Sequence, residues 1–193
     1  MKYSMPIAFD VEELRVNHQC VNYLETGLYD PREDVSIKHA LRCGFEKVIS
    51  IEIREDWVLL GKEIFQKEIA DGRVKLIQDD STRLKQHLDP AIFQHKSMFF
   101  LDAHVDNENI HHYQKKCPLL EELDAISTLD RKDHVILIDD CRILQTPFPW
   151  GETSYENKNF IDEIIKKIKM INPLYQFKML DGYIKNDVIL AYV

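Results

Sequence analysis

Short blocks of consecutive apolar residues alternate along this chain with stretches in which apolar positions recur every three or four residues. The first pattern reads as buried strands, the second as helices with one covered face. The clearest block is Met98-Phe99-Phe100-Leu101, which ends abruptly on Asp102-Ala103-His104. Val135-Ile136-Leu137-Ile138 repeats the design and ends on Asp139-Asp140. Three earlier strands are expected: Cys20–Leu24 running into Glu25-Thr26-Gly27, Lys47–Ile51 into Glu52-Ile53, and Arg73–Ile77 into Gln78-Asp79-Asp80-Ser81.

Helical patterns fill the intervals. Pro31-Arg32-Glu33-Asp34 looks like a helix start, with proline in the first turn and acids that complement the dipole; Ile37, Ala40 and Leu41 continue it to Cys43-Gly44. A long helix is expected from about Glu55, with Trp57, Leu60 and Ile64 on one face, Phe65 and Ile69 beside it, and Asp71-Gly72 as its end. Asp80 or Ser81 is suited to cap a further short helix. Pro118 opens a helix with Leu119, Leu123 and Ile126 on one stripe; Phe160, Ile164, Ile168 and Ile171 mark another. The chain closes with two strands, 174–180 and 187–193, parted by Leu180-Asp181-Gly182 and Lys185-Asn186 as in an antiparallel hairpin. Residues 103–116 and 145–157 lack a period and read as long loops over one edge.

Strand–helix alternation of this kind implies right-handed crossovers in a parallel sheet covered on both faces. The expectation is one α/β, doubly wound domain over residues 20–193. Its sheet is mostly parallel and seven-stranded with a C-terminal antiparallel hairpin, and residues 1–19 precede it as an arm or short helix. All five parallel strands would then deliver their trailing acids, Glu25, Glu52, Asp79-Asp80, Asp102 and Asp139-Asp140, to one edge, where open α/β sheets bind ligands. Any one such acid serves equally well as a helix cap or turn residue. The series is harder to dismiss, because crowded carboxylates repel one another and resist burial.

Composition narrows the partners. A net charge of −8 without a basic cluster argues against nucleic acid or an anionic membrane surface. Cys20, Cys43, Cys117 and Cys141 form no CxxC pair and fit neither a zinc site nor a disulfide framework, so free thiols in a reducing, cytoplasmic setting are expected. The first residues carry no signal-peptide pattern, and no apolar run approaches the ~20 residues that span a bilayer.

From about residue 20 onward the chain resembles the class I S-adenosylmethionine-dependent methyltransferases. The resemblance rests on Leu24-Glu25-Thr26-Gly27, Ser50-Ile51-Glu52, Asp79-Asp80-Ser81, Leu101-Asp102-Ala103-His104 and Leu137-Ile138-Asp139-Asp140, in that order and spacing. Pro118-Leu119-Leu120-Glu121-Glu122-Leu123 resembles members associated with sugar or polysaccharide modification. The resemblance implies a Rossmann-like fold and a cofactor site of Glu25, Thr26, Gly27, Glu52, Ile53, Asp80, Ser81 and Asp102. In it Gly27 lets the backbone approach the methionine end, Glu52 accepts from the ribose hydroxyls, Asp80 accepts from the adenine amino group with Ser81 beside it, and Asp102 lies near the methyl. One departure stands out: the run Gly27-Leu28-Tyr29-Asp30-Pro31-Arg32 has no second glycine, which the family usually places in this turn.

Some relatives of that kind hold a divalent metal on an acid after the fourth strand and an acidic pair after the fifth. By that resemblance Asp102, Asp139 and Asp140 would hold Mg²⁺ or Mn²⁺, and hard oxygen donors suit such ions. The alternative is that Asp140 caps the next segment while Asp139 supports it. Asp102, His104 and Asp139 are the candidate catalytic residues, with His104 or one of the acids as base. Arg142 is placed to pair with Asp140 or to hold an anionic substrate; His111-His112 and the aromatics Phe148, Trp150 and Tyr155 belong to the long loops, where the aromatics would stack on a sugar ring. The function expected is methyl transfer to a hydroxyl of a sugar or glycan. Two alternatives remain: a non-catalytic relative that lost its cofactor, and a nicotinamide-dependent oxidoreductase, which the missing GxGxxG disfavours.

Overall fold

The computed structural model describes residues 7–104, 117–145 and 160–193. Helix α1 (Val11–His18) lies in the stretch expected as an arm or helix; the Asp10 carboxylate caps it by accepting from the Glu13 N–H, and Gln19 ends it in the left-handed conformation. Its Val11 and the preceding Ile7 are buried, so this segment covers part of the core.

Seven strands follow among the described residues: β1 (Asn22–Thr26), β2 (Lys47–Glu52), β3 (Val74–Gln78), β4 (Ser97–Leu101), β5 (Val135–Ile138), β6 (Gln176–Leu180) and β7 (Val188–Tyr192). They form one sheet in the order β3-β2-β1-β4-β5-β7-β6. β1 to β5 are parallel, while β7 runs antiparallel between β5 and β6. This is the architecture that the hydrophobic pattern predicts. The chain winds one way from β1 to β3 and the other way from β4, so β1 and β4 flank the switch point where ligands bind in open α/β sheets.

Side chains along the central strands alternate between two cores. Leu24, Ile49, Phe99, Leu101, Ile136 and Ile138 face one layer, which α6 (Leu119–Ser127) and α8 (Phe160–Ile171) cover with Leu119, Leu123, Ile164 and Ile168. Tyr23, Val48, Met98, Phe100 and Leu137 face the other, covered by α1 and by α2 (Ile37–Arg42), with Phe65 completing it. Burial on both faces explains why these strands read as unbroken apolar runs.

Two helices depart from the sequence pattern. α2 begins at Ile37, six residues after the expected Pro31. The Asp30 carboxylate accepts from the Arg32 backbone N–H at 3.0 Å and pairs with its guanidinium, holding this segment in a turn. The long helix is split at Phe65 into α3 (Glu55–Ile64) and α4 (Gln66–Ala70). Its buried line is Val58, Gly61 and Phe65, with Trp57 and Ile64 only flanking and Leu60 partly exposed. Gly61 sets that rotation: a Cβ there would lie 2.8 Å from Leu76 Cδ1, so the bare glycine lets α3 press onto β3. The 3-10 helix Ser81–His87 starts as expected at Asp80, whose Oδ1 accepts from the Thr82 N–H. α5 (Pro90–Phe93) and α7 (Cys141–Leu144) are single turns that lead into β4 and out of β5.

Candidate active site

The strand ends are locked side by side. Backbone bonds carry the ladder one residue past the strands: Gly27 N–H to Ile51 O at 2.9 Å, Asp79 N–H to Glu52 O at 3.1 Å, Asp102 N–H to Thr26 O at 3.1 Å, and Asp139 N–H to Leu101 O at 3.3 Å. The acid-bearing turns after β1 to β5 therefore share one edge, as the sequence pattern requires.

Gly27 is the tightest point of that edge. Its φ is +88°, and a Cβ would lie 2.5 Å from the Asp102 carbonyl oxygen, so only glycine fits. Glu52 closes the same turn: it accepts from the Leu28 N–H at 2.9 Å and from the Arg54 N–H at 2.7 Å. A carboxylate has about four lone-pair positions, so two remain for a ligand. Tyr29, where the chain lacks a second glycine, takes φ +55° and leaves its ring exposed near Trp57. Ile53 follows Glu52 half-buried at the same edge.

Glu25 is fully buried at the end of β1, where Ser36 donates a hydrogen bond to it. Burial pushes its carboxyl up to about 7, partly opposed by hydroxyl contacts. After β3 the two aspartates divide the work. Asp79 is taken by Arg83, which holds its carboxyl down at about 2, and by His87 at 2.6 Å. Asp80 spends Oδ1 on the Thr82 N–H and hydroxyl, at 2.9 and 2.7 Å, and keeps Oδ2.

The acids after β4 and β5 form two groups that meet at Asp140. In one, His104 Nε2 bonds Asp140 and lies 3.7 Å from Asp102. In the other, Asp140 joins Asp139 and Asp187. Asp139 turns its Oδ1 to the Asp140 N–H at 2.7 Å. Arg142 grips Asp140 at 2.5 Å and also pairs with the fully buried Asp187, whose Oδ1 accepts the Arg142 N–H at 2.9 Å. The three acids expected to act together, Asp102, Asp139 and Asp140, are thus shared between two clusters, with His104 completing the first and Asp187 the second.

Charge follows this geometry. Burial alone would lower the His104 ring, but its bond to Asp140 and the charge of Asp102 outweigh that and push it up to about 9. Asp140 is half-buried, and against the desolvation this brings, His104 and Arg142 hold it below the usual carboxylate range. Asp102 is raised by burial and by Asp139 and Asp140, against the pull of His104, and Asp139 is raised for the same first reason. Asp102 still keeps a third of its side chain open to solvent, at 34%.

The sequence pattern places Asp187 only in the last strand and Gly182 only in the hairpin turn, with no part in the site for either. Asp187 immediately precedes β7, whose antiparallel course starts at the edge where the parallel strands end. Gly182, in the β6–β7 turn, is pressed against Asp139, with 3.3 Å between an added Cβ and Oδ1. Arg142 also lies beneath the exposed Tyr183 ring, 4.9 Å from its centroid, so the turn walls the acidic group. His111, His112, Phe148, Trp150 and Tyr155 lie outside the described residues.

This sheet order, with a reversed last strand and a ligand edge built on a glycine turn, is the S-adenosylmethionine-dependent methyltransferase fold. Solved structures share it over nearly the whole chain. An O-methyltransferase from Bacillus cereus in complex with S-adenosylhomocysteine superposes with a TM-score of 0.58 at 17% identity, covering 97% of this chain and 84% of that one. The S-adenosylhomocysteine-bound methyltransferase PaMTH1 of Podospora anserina gives 0.56 at 16% identity, over 94% of this chain and 75% of its own. The O-methyltransferase TomG of Streptomyces achromogenes, involved in tomaymycin synthesis and solved with S-adenosylmethionine, gives 0.56 at 13%, over 94% and 77%. No protein-family model and no curated protein sequence matches the chain. Among the described residues, no helix is long and apolar enough to cross a membrane.

Proposed function

We propose that the chain is an S-adenosylmethionine-dependent O-methyltransferase acting on a hydroxyl of a small molecule or glycan. The observation that carries this reading is the meeting of Gly27, Glu52, Asp80 and Asp102 on one edge, with the Gly27 backbone laid against Asp102. A bare backbone turn gives room for the cofactor's amino-acid end. The spare lone pairs of Glu52 suit two ribose hydroxyls, and Asp80 Oδ2 suits the adenine amino group. The edge is acidic, which suits a sulfonium cation.

The reaction is an in-line displacement. The acceptor oxygen attacks the methyl carbon, the carbon–sulfur bond breaks, and its electron pair stays on sulfur as a thioether. The hydroxyl proton must leave to a base. His104, held protonated by Asp140, is a poor base near neutral pH and instead supplies positive charge beside the developing alkoxide. Asp102, raised and partly open to solvent, is the better proton acceptor. Most of the rate gain would come from alignment and fixed charge.

A divalent cation fits the donor set. Ligand atoms of Asp102, His104 and Asp140 lie within 4.8 Å of one another, a mixed oxygen and imidazole set that suits Mn²⁺ or Mg²⁺ in place of the His104 proton, which the ion would have to displace. Asp139, Asp140 and Asp187 are the second such group, but Arg142 already occupies Asp187. When bound, the ion would make the acceptor hydroxyl more acidic.

Calorimetric titration of the full chain with S-adenosylhomocysteine tests the reading. Saturable one-site binding supports it. No heat at millimolar ligand would overturn it in favour of a non-catalytic relative.

A further inference from the structure

Helix α6 carries a buried acid that the chemistry above does not use. Glu122 is 0% exposed, and neither carboxylate oxygen makes a hydrogen bond of normal geometry. Thr26 Oγ1, also fully buried, makes none either. The Thr26 and Ser81 hydroxyls adjoin the carboxyl; burial raises it to about 7, and these hydroxyls and His104 oppose the rise while Glu121 adds to it. Buried polar atoms left unsatisfied cost free energy, and native proteins keep few of them.

Their placement gives the group a meaning. Thr26 immediately precedes Gly27 and shares the sheet face of Leu24, the face that α6 covers. Ser81 immediately follows Asp80 and opens the 3-10 helix, against which α6 packs. One carboxyl therefore lies beneath both turns that frame the cofactor cleft. With its proton it has one donor and spare acceptor capacity, enough to engage both hydroxyls at once.

We propose that Glu122 is a positioning residue for the nucleoside end of the cofactor site, acting through Thr26 and Ser81; this rests on the methyltransferase reading. A ligand that touches both the Gly27 and Asp80 turns draws them inward over α6. The Thr26 and Ser81 hydroxyls then close on the Glu122 carboxyl, and part of the binding energy comes from satisfying these atoms.

The test compares S-adenosylhomocysteine binding by calorimetry, and thermal midpoints without ligand, for the full chain and its Glu122→Gln, Glu122→Leu and Glu122→Met variants. Gln keeps the hydrogen bonds of a protonated carboxyl and is expected to bind within about threefold of wild type. Leu and Met remove an unsatisfied buried group, so the free protein is expected to melt no lower, while binding weakens about tenfold, the worth of a buried hydrogen bond. Thr26→Val is expected to weaken binding in the wild-type background and to add little to Glu122→Leu, which a purely structural acid would not produce. Binding by the Leu and Met variants within threefold of wild type would overturn the proposal. So would failure of both to fold, which assigns Glu122 to the folding core. If wild type itself binds no S-adenosylhomocysteine, the methyltransferase reading falls first and takes this proposal with it.

Discussion

Single atoms decide much at this edge. Gly27 combines a positive φ with a backbone neighbour that cannot move aside. Gly27→Ala is expected to cost at least about 2 kcal/mol, from left-handed strain plus overlap with the Asp102 carbonyl. Chemical denaturation measures the loss, and S-adenosylhomocysteine binding should weaken with it. Glu122 makes a second prediction, about pH. Its carboxyl sits near 7 in the folded chain against 4.5 when free, so the folded state holds a proton that the unfolded chain releases. That stabilising difference is complete below pH 4.5 and is lost as pH rises through 7, by at most on the order of 3 kcal/mol. Glu122→Gln cannot ionise. Urea denaturation at pH 5 and pH 8 should therefore show the variant gaining on wild type at the higher pH. A constant gap would mean that Glu122 is already ionised at pH 5.

At the scale of elements, periodicity served best where one face is plainly buried. α8 has Phe160, Ile164 and Ile168 turned inward while Met170 stands 78% exposed. Ile168→Ala should cost about 2–5 kcal/mol, and Met170→Ala less than about 0.5, measured by denaturant midpoints. Equal losses would show that the helix face is misassigned. The strands were legible because unbroken apolar runs report burial on both faces. α2 was misjudged at its start, since Pro31 with following acids is a good helix signal in isolation. The Asp30–Arg32 contact, which outweighs it, is a polar detail that no apolar period encodes. The face of α3 was misjudged for the opposite reason: Gly61 carries no hydrophobic signal, yet its lack of a side chain is what brings the helix onto Leu76.

At the scale of the whole molecule, the convergence of acids was legible because parallel strands must end on one edge. How those acids divide was not, because the division depends on Asp187, which enters from a strand running the other way. Asp140 is the corner of both groups, in left-handed backbone at φ +62°, facing His104 and Arg142 together. Asp187, which belongs to the second group alone, makes the two clusters separable by experiment. If Asp102, His104 and Asp140 hold a divalent cation, Mn²⁺ should raise the thermal midpoint of the full chain, by about 2.7 kcal/mol of stabilisation at a hundredfold excess over its Kd. Asp140→Asn should abolish that rise. Asp187→Asn should leave it in place while lowering the metal-free midpoint, since Arg142 loses its buried partner. A rise lost in Asp187→Asn as well as in Asp140→Asn would move the cation to the group of Asp139, Asp140 and Asp187. No rise in wild type would leave His104 and Arg142 as the cations that balance these acids, with proton transfer to Asp102 carried by the protein alone.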